Sequence, residues 1–413
     1  MTDPDATHGS SSDSGEVGSA AASTGLRVLL AGGGTAGHVN PLLATAAALR
    51  ATDPTVQLLV LGTATGLEAD LVPAAGLEMV TIAKVPLPRR PSLDLLRLPG
   101  RLKAAMDGAR RAIEQINANV VIGFGGYVST PAYLAARKLG VPVVIHEQNA
   151  RPGLANKVGA RWARAVALTF ASTPLKARVG RTEFTGLPLR PEIAALIEEQ
   201  ATDAGRAQAR QQGAAALGLD PTLPTLLVTG GSLGAQHLNE VLCAVMPSIP
   251  EGMQVLHLTG KEKDAPVRSV REQAVASGVT SLGSRYHVLD YLPQMEHAYA
   301  CADAVICRSG AGTVAELTAL GLPALYVPLP IGNGEQRLNA ADVVAAGGGR
   351  IIADAELRTE HVVDFMALVA DPVRREPMAQ VTRGAGVRDG AQRLVALVGA
   401  VARAAQRAAA ERP

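Results

Sequence analysis

The 413-residue sequence is poor in aromatic residues, which make up only 3% of it. Proteins that bind single-stranded nucleic acid stack bases on aromatic side chains, so this scarcity argues against such a platform. Net charge is also small, because 39 Lys and Arg oppose 37 Asp and Glu to give a formal +2. A protein that works mainly on phosphate backbones has a strongly basic balance. Nucleic acid is therefore not an expected partner.

Cysteine is rare and long apolar runs are missing. The three cysteines lie in apolar stretches without metal-ligand spacing, at Cys243, Cys301 and Cys307. This pattern predicts small buried side chains in a reducing cytoplasm, and neither a disulfide framework nor a metal site. No apolar run reaches the roughly 18 residues of a membrane span, so no segment is expected to cross a bilayer.

Residues 1–25 lack Lys, Arg and an apolar core, and they are rich in Ser, Asp, Gly and Ala. This composition predicts a disordered tail, since it fits neither a signal peptide nor a packed element. The Asp-x-Asp pattern that holds a divalent metal in many nucleotide-sugar enzymes occurs only here, as Asp3-Pro4-Asp5. We therefore expect a site without bound metal or other cofactor. Positive charge for a leaving diphosphate would come from helix N-termini and a side chain such as Arg190.

Short runs rich in Val, Leu and Ile recur, each followed by a turn signal and a stretch rich in Ala, Leu and Arg. This alternation predicts parallel strands with helices on both faces of each sheet. The strands expected in the first half are Leu26–Ala31, Gln57–Leu61, Val120–Gly123, Val141–His146 and Ala165–Thr169. Those expected in the second half are Thr225–Thr229, Gln254–Leu258, Tyr286–Leu289, Ala304–Cys307, Ala324–Val327 and Arg350–Ala353.

The length suits two doubly wound α/β domains with tails to spare. We predict a first domain over residues 26–190, a second over residues 191–388 and a C-terminal helix within residues 389–413. The proline-rich stretch 187–191 marks the boundary. The pattern leaves open whether the last helix packs on its own domain or crosses back to the first.

Three glycine clusters each follow a predicted strand and precede a helix: GGGTAGH at 32–38, GFGGYVS at 123–129 and GGSLGA at 230–235. Glycine lets the backbone approach a ligand, and free N–H groups at a helix start attract phosphate, so both halves are expected to bind a phosphate-bearing ligand. The alternative is that the glycines form only tight turns.

The first cluster also fits the dinucleotide-binding pattern G-x-G-x-x-G. However, the second strand ends Leu61-Gly62-Thr63 without the acidic residue of a dinucleotide site, which argues against a dehydrogenase.

Two titratable groups in the first half are candidate catalytic residues, His38 and Glu147. His38 lies in the first turn of a helix, whose N-terminus favours the neutral imidazole that can accept a proton. Glu147 belongs to HEQN at 146–149, at the carboxyl end of a strand, where site residues often lie. The alternatives are a structural histidine and a carboxylate that holds its loop by accepting backbone hydrogen bonds.

In the second half, CRSGAGTVAE at 307–316 predicts a strand, a glycine turn and a helix start. Glu316 would lie one turn into this helix, where a carboxylate suits the two hydroxyls of a ribose. Capping the helix is its alternative role. The loop 333–336 ends in Gln336 and adds amide and carboxylate groups that suit sugar hydroxyls.

GGGTAGH, GFGGYVS, HEQN, GGSLGA and CRSGAGTVAE together resemble, in order and spacing, the motifs of the MurG family of peripheral membrane glycosyltransferases. The resemblance extends from Leu26 to the C-terminal helix. It implies the GT-B fold, which consists of two Rossmann-like doubly wound parallel-sheet domains facing a cleft. It also implies an inverting, metal-independent transfer of N-acetylglucosamine from UDP-N-acetylglucosamine to lipid I, forming lipid II for peptidoglycan at the cytoplasmic face of the cell membrane.

The same resemblance implies roles for individual residues. Donor contacts fall on Thr35, Ala36, Gly37, Asn149, Arg190, Ser232, Leu292, Ala311, Gly312, Thr313, Val314, Ala315, Glu316 and Gln336. Leu292 would hold uracil through its backbone, Glu316 the ribose and Gln336 the sugar hydroxyls. His38 takes the place of the candidate general base, with Glu147 as the second choice. The acceptor's diphosphate is expected at Gly34, Gly125, Gly126 and Tyr127.

Residues 84–111 contain eight basic and two acidic residues with interleaved leucines. A basic, leucine-rich segment predicts docking on an anionic membrane surface. The residues expected to make this contact are Arg89, Arg90, Leu93, Leu96 and Arg97. The alternative is a solvated helix whose leucines face the core.

Two other functions stay open. Another GT-B transferase or a UDP-N-acetylglucosamine epimerase would share the nucleotide half, although HEQN beside GGGTAGH argues against both. A sensor that binds a nucleotide sugar without turnover would keep the donor site and need no base.

Overall fold

The computed structural model describes residues 25–85, 94–231, 234–331 and 333–411. They form two parallel sheets with helices on both faces, which confirms the predicted α/β class and the pair of doubly wound domains. We call the domain that contains the seven-stranded sheet the first domain and the one that contains the six-stranded sheet the second domain.

In the first domain, the strands are β1 (Arg27–Ala31), β2 (Gln57–Gly62), β3 (Glu78–Thr81), β4 (Val120–Gly123), β5 (Val143–Glu147), β6 (Ala165–Leu168) and β7 (Arg181–Phe184). The helices between them are α1 (Ala36–Thr52), α2 (Glu68–Ala74), α3 (Asp94–Gln115), α4 (Ser129–Leu139) and α5 (Leu154–Gly159). The order across the sheet is β3-β2-β1-β4-β5-β6-β7. Strand order reverses between β1 and β4, and in such sheets ligands bind outside the carboxyl ends of the strands at this point.

The second domain begins with α6 (Pro191–Glu199) and α7 (Asp203–Leu217). Its strands are β8 (Thr225–Thr229), β9 (Gln254–Leu258), β10 (Tyr286–Leu289), β11 (Ala304–Cys307), β12 (Ala324–Tyr326) and β13 (Gly349–Ile351), in the order β10-β9-β8-β11-β12-β13. The remaining helices are α8 (Gln236–Val245), α9 (Asp264–Ala276), α10 (Leu282–Arg285), α11 (Met295–Cys301), α12 (Ala311–Leu320), α13 (Glu335–Asn339), α14 (Ala341–Ala345), α15 (Thr359–Ala370), α16 (Pro372–Ala385) and α17 (Gly390–Ala410).

The central strands are apolar on both faces because helices cover both sides of the sheet. Val28, Leu29 and Leu30 of β1 have no exposed surface, as expected for strands of a covered parallel sheet. The edge strands β3 and β7 were not predicted. Their residues are mostly exposed or half-buried and polar, so they lack the continuous apolar run that identified the central strands.

The last helix, α17, leaves the second domain and packs against the first. Leu394 and Val398 belong to the same buried cluster as Val28 and Leu30 of β1. The helix therefore ties the chain's end to the sheet with which the chain began. Among the described residues, no helix is long and apolar enough to cross a bilayer. Cys301 and Cys307 are buried and Cys243 is half-buried, all as free thiols.

Candidate active site

A cavity of about 370 Å³ lies in the cleft between the two domains. It is bounded by the start of α1, by the linker from Leu187 to Arg190 and by the loops that follow β8, β10 and β11. The predicted donor residues that line it are Ala36, Gly37, Arg190, Leu292, Ala311, Gly312, Thr313 and Glu316. Residues that are far apart in the sequence thus meet at the carboxyl ends of both sheets.

Val314 and Ala315 do not line this cavity, although the family resemblance placed the whole run 311–316 against the donor. They are buried and line a different cavity of about 340 Å³ on the other side of α12. Successive residues of a helix point about 100° apart, so one face of α12 cannot present all six side chains. The structure therefore does not bring these two side chains to the predicted donor site.

Three further predicted donor residues lie outside the cavity lining, and Ser232 lies outside the described residues. The Thr35 hydroxyl is 3.1 Å from His38 Nδ1. Asn149 Oδ1 accepts a hydrogen bond from Asn339 at 3.3 Å. Gln336 Oε1 accepts one from the Leu329 N–H at 2.9 Å, which leaves the Gln336 amide group as a donor.

Glu316 is the buried carboxylate of the cavity. Arg190 Nε donates to its Oε1 at 2.9 Å, and the Tyr299 hydroxyl donates to its Oε2 at 3.0 Å. A carboxylate offers about four lone-pair sites, so two remain for a ligand. The hydrogen bond from Arg190 Nε holds the Arg190–Glu316 pair in place, and the other guanidinium nitrogens of Arg190 can still donate to a ligand. The arrangement therefore presents two acceptors and a cation to the same ligand.

His38 lies in the first turn of α1, beside Ala36 and Gly37, which line the cavity, but His38 itself is not one of the lining residues. Its Nδ1 is 3.1 Å from the Gly33 carbonyl oxygen. A carbonyl can only accept, so Nδ1 carries the proton and Nε2 is left as the acceptor. Burial lowers the pKa of His38, although the Gly33 hydrogen bond and the charge of Glu68 oppose it. The lowered pKa favours the neutral imidazole, and its cause is burial rather than the helix start on which the sequence prediction relied.

The first and second glycine loops touch each other beside His38. Gly126 has φ of +81°, and a Cβ there would overlap the Gly33 carbonyl. Gly125 has φ of +93°, and a Cβ there would lie 3.1 Å from His38 Nε2. Both positions therefore require glycine for conformation and for space. Two loops that the sequence predicted separately form one surface.

Glu147 is bonded to its own loop. Its Oε1 accepts from the Asn149 N–H at 3.0 Å, and its Oε2 accepts from the Gly153 N–H and Asn156 Nδ2, each at 2.9 Å. The side chain is 2% exposed. Burial raises the pKa of Glu147 against the lowering effect of these hydrogen bonds. The contacts correspond to the loop-holding role that the sequence left open beside catalysis.

His146 has a structural role. It has no exposed surface, and its Nε2 lies 3.0 Å from the carbonyl of Gly186, the residue before the linker. Burial lowers the pKa of His146 to about 4. The neutral imidazole therefore ties β5 to the connection between the domains.

Of the four residues predicted to receive the acceptor's diphosphate, Gly34 has a backbone N–H that is already donated, to Glu68 Oε2 at 2.8 Å. Tyr127 is 43% exposed, and the Lys84 ammonium lies 4.9 Å from its ring centroid. Gly34 is exposed although its N–H is engaged, whereas Gly125 is buried and Gly126 half-buried. Arg89, Arg90 and Leu93, expected at the membrane, lie outside the described residues, and for Leu96 and Arg97 only the backbone in α3 is described.

Comparison with known proteins identifies the family. The glycosyltransferase family 28 N-terminal domain matches residues 28–168, and the family's C-terminal domain matches residues 225–394. A Bifidobacterium longum UDP-N-acetylglucosamine--N-acetylmuramyl-(pentapeptide) pyrophosphoryl-undecaprenol N-acetylglucosamine transferase is 53% identical over 352 residues, which cover 82% of this chain and 89% of that protein. The Streptomyces coelicolor protein of the same name is 49% identical, covering 90% and 97%.

The chain belongs to the MurG family of glycosyltransferases. A crystal structure of Acinetobacter baumannii MurG aligns with a TM-score of 0.72 at 28% identity, covering 91% of this chain and 99% of that one. A Neisseria meningitidis UDP-GlcNAc 2-epimerase bound to UDP-GlcNAc aligns with a TM-score of 0.64 at 15% identity, covering 90% and 98%. The second likeness shows the shared GT-B fold alone.

Three residues of this MurG-family chain escaped the sequence analysis: Glu68, Tyr299 and Asn339. Glu68 follows β2 by six residues and folds back on the first glycine loop. A search for an acidic residue beyond the strand end would have found it. Tyr299 and Asn339 lie on helices outside the motifs, and their partners Glu316 and Ala150 are 17 and 189 positions away. No local pattern indicates contacts of that separation.

Proposed function

We propose that the chain transfers N-acetylglucosamine from UDP-N-acetylglucosamine to the muramyl 4-hydroxyl of lipid I, the undecaprenyl-diphosphate-linked muramyl peptide, and so forms lipid II. The observation that carries this proposal is the cleft in which α12 presents Glu316 and α1 contributes Ala36 and Gly37, the two residues before His38. The relatives named above for this transfer are about half identical to the chain.

The donor would bind mainly to the second domain. Glu316 would accept hydrogen bonds from the two ribose hydroxyls, and the backbone of Leu292 would hold uracil. Arg190 and the N-terminus of α12 would face the diphosphate, where cations and helix N–H groups stabilise negative charge. These groups supply charge for the leaving UDP, and we propose that the site needs no metal.

The transfer would be a single displacement. His38 Nε2 removes the proton of the acceptor's 4-hydroxyl as that oxygen bonds to the anomeric carbon. The bond from the anomeric carbon to the UDP oxygen breaks on the opposite face, and UDP leaves with the bonding electrons. One displacement inverts the α-linked donor to a β-linked product. Glu147 stays a second choice for the base, less suited because both its oxygens are bonded within its loop.

The experiment supplies purified protein with radiolabelled UDP-N-acetylglucosamine and lipid I, with and without EDTA. We expect β-linked disaccharide product in both cases, and UDP release only when the acceptor is present. His38→Ala should lower kcat by about a hundred- to ten-thousand-fold and keep UDP affinity. His361→Ala on α15 is the matched control. UDP release without acceptor, or near-normal turnover in His38→Ala, would contradict the proposal.

We also propose that the chain docks on the cytoplasmic face of the membrane through residues 84–111. In the described part of α3, Lys103, Arg110 and Arg111 are exposed while Ala105 and Ala109 pack into the core. Leu98, one of the interleaved leucines, packs against that core, as in the alternative of a solvated helix with core-facing leucines, so the docking proposal is supported by the exposed basic residues and not by Leu98.

Liposome flotation tests the docking. Each cation near an anionic surface contributes about 1 kcal/mol, so charge reversal of Arg89, Arg90 and Arg97 should abolish flotation on anionic vesicles. High salt should weaken flotation of the unchanged protein. Reversal of Arg403 and Arg407 is the control, because α17 packs on the opposite face of the first sheet from α3. Flotation indifferent to salt and to all three reversals would contradict membrane docking.

A further inference from the structure

Glu68 is a buried carboxylate that the proposed mechanism does not use. It lies at the start of α2 and has no exposed surface. Its Oε2 accepts from the Gly34 N–H at 2.8 Å. Its Oε1 accepts from the N–H and the hydroxyl of Thr63, at 3.0 and 2.7 Å. Among the described residues no cation pairs with it, so neutral donors alone compensate its charge.

Glycines close around this carboxylate. A Cβ on Gly33 or Gly66 would overlap the carboxylate, and one on Gly62 would lie 2.8 Å from its Cγ. The space is therefore shaped for this side chain in this position. A carboxylate bonded only to backbone and hydroxyl donors has little freedom to exchange them for a ligand, so its role is to fix the surrounding backbone.

The backbone that Glu68 fixes is the backbone that holds His38. Glu68 bonds the Gly34 N–H, and the peptide unit of that N–H includes the Gly33 carbonyl, which accepts from His38 Nδ1 at 3.1 Å. A rotation of this peptide would break both hydrogen bonds together. Placement of the imidazole thus depends on the carboxylate through one rigid unit.

We propose that Glu68 is the positioning residue of the general base: it fixes the Gly33–Gly34 peptide so that His38 Nδ1 keeps its proton and Nε2 faces the acceptor. The same hydrogen bond withholds the Gly34 N–H from the acceptor's diphosphate, which is left to the second loop. This inference rests on the proposed role of His38 as the base.

The negative charge of Glu68 should affect the pH dependence of kcat, which a purely structural residue would not do. Burial alone would raise the pKa of Glu68, but its hydrogen bonds from Gly34 and Thr63 outweigh burial and hold that pKa below its ordinary value. The side chain is therefore ionised throughout the working pH range. Its negative charge raises the pKa of His38. Removing the charge should lower that pKa, which moves the acid limb of the kcat profile to lower pH.

The other groups around His38 do not provide this charge. Thr35 and Gly33 on its own loop are uncharged, as is Gly125 of the second loop. Asn156 of α5 lies beside Gly125 and separates it from Glu147. Lys84 belongs to the segment after β3 and reaches the second loop, where its ammonium lies over the Tyr127 ring.

The test compares Glu68→Gln, Thr63→Val and the unchanged protein in kcat against pH, in UDP affinity and in Tm. Glu68→Gln should lower kcat about ten- to a hundredfold, the scale of a misplaced catalytic group, and shift the acid limb to lower pH. Thr63→Val removes one donor and keeps the charge, so kcat should fall severalfold with the limb in place. UDP affinity should change little in both variants, because Glu316 and Leu292, which would hold the ribose and uracil, lie in the second domain.

A Glu68→Gln protein with normal kcat and an unmoved acid limb would overturn the inference. If that variant does not fold, Thr63→Val decides, and normal kcat at every pH in Thr63→Val would overturn it as well. The variant His38→Gln distinguishes a failure of this inference about Glu68 from a failure of the proposed role of His38 as the base. If the acid limb survives in His38→Gln, the limb does not belong to His38 and the base assignment itself is wrong.

Discussion

On the first-domain side of the cleft, Glu68 and Glu147 accept hydrogen bonds from backbone N–H groups, a hydroxyl and an amide. On the second-domain side, Glu316 is paired with the Arg190 guanidinium and the Tyr299 hydroxyl. The first two carboxylates hold loops, whereas the third lines the cavity. The two walls of the cleft therefore use the same functional group for different purposes.

The three carboxylates differ in whether their hydrogen-bond donors can be exchanged for those of a ligand. A backbone N–H cannot leave its carboxylate without moving the loop, so Glu68 and Glu147 make the first-domain side of the cleft rigid. Glu316 is bonded through side chains and keeps free lone pairs towards the cavity, so ligand hydroxyls can join the existing partners. The first-domain wall is therefore shaped by backbone contacts, whereas the second-domain wall offers side-chain groups to a ligand.

The largest expected effect is on the donor wall. Hydrogen bonds to a charged group contribute about 1.5–3 kcal/mol, so Glu316→Gln should weaken UDP binding about ten- to a hundredfold. The loss should be smaller for a 2′-deoxy nucleotide, which already lacks one ribose hydroxyl. Calorimetric titration with UDP and 2′-deoxy-UDP measures both quantities.

Glu272→Gln, an exposed position on α9, is the control for that titration. If Glu316→Gln leaves UDP affinity unchanged but lowers Tm by several degrees, the proposed difference between Glu316 and the two loop-holding carboxylates is wrong. In that case Glu316 would be a third structural carboxylate, and the ribose would have to find its acceptor elsewhere on the second domain.

The buried strands and the glycine loops could be predicted from the local sequence, because their residue types are required by local conformation and burial. Val28–Leu30 and the other buried strand cores were predicted because a covered parallel strand is apolar at every position. The glycine loops were predicted because positive φ and close approach require glycine, as at Gly125 and Gly126. The polar edge strands β3 and β7 gave no such signal.

The site's connections between distant residues could not be predicted in the same way. Arg190 and Glu316 are 126 positions apart, and their pairing depends on how the linker crosses the cleft. The family resemblance named both residues as donor contacts but not their mutual hydrogen bond. Glu68 could have been noticed from its place six residues after β2, but its contact with the loop after β1 depends on the pairing of β1 with β2.

The smaller expected effect concerns the contact that joins the two walls. Asn339 is 1% exposed; its Oδ1 accepts from the Ala150 N–H at 2.9 Å, and its Nδ2 donates to Asn149 Oδ1 at 3.3 Å. Asn339→Ala leaves the Ala150 N–H unpaired, which costs about 1–3 kcal/mol. Tm should fall, and donor affinity should fall less than in Glu316→Gln, since Asn149 is displaced but Glu316 is not.

Ser172→Ala is the matched control, because it removes an exposed hydrogen bond between the domains, to Asp342 Oδ2 at 2.9 Å. Exposed bonds contribute little, so its Tm should be nearly unchanged. Asn339→Asp keeps the acceptor for the Ala150 N–H, but it turns a buried carboxylate oxygen towards Asn149 Oδ1 and the Ser309 carbonyl oxygen, so it should not restore the Tm lost in Asn339→Ala. If Asn339→Ala instead matched Ser172→Ala in Tm and in UDP affinity, the two walls would be independent, and the rigidity of the acceptor side would not extend to the donor site.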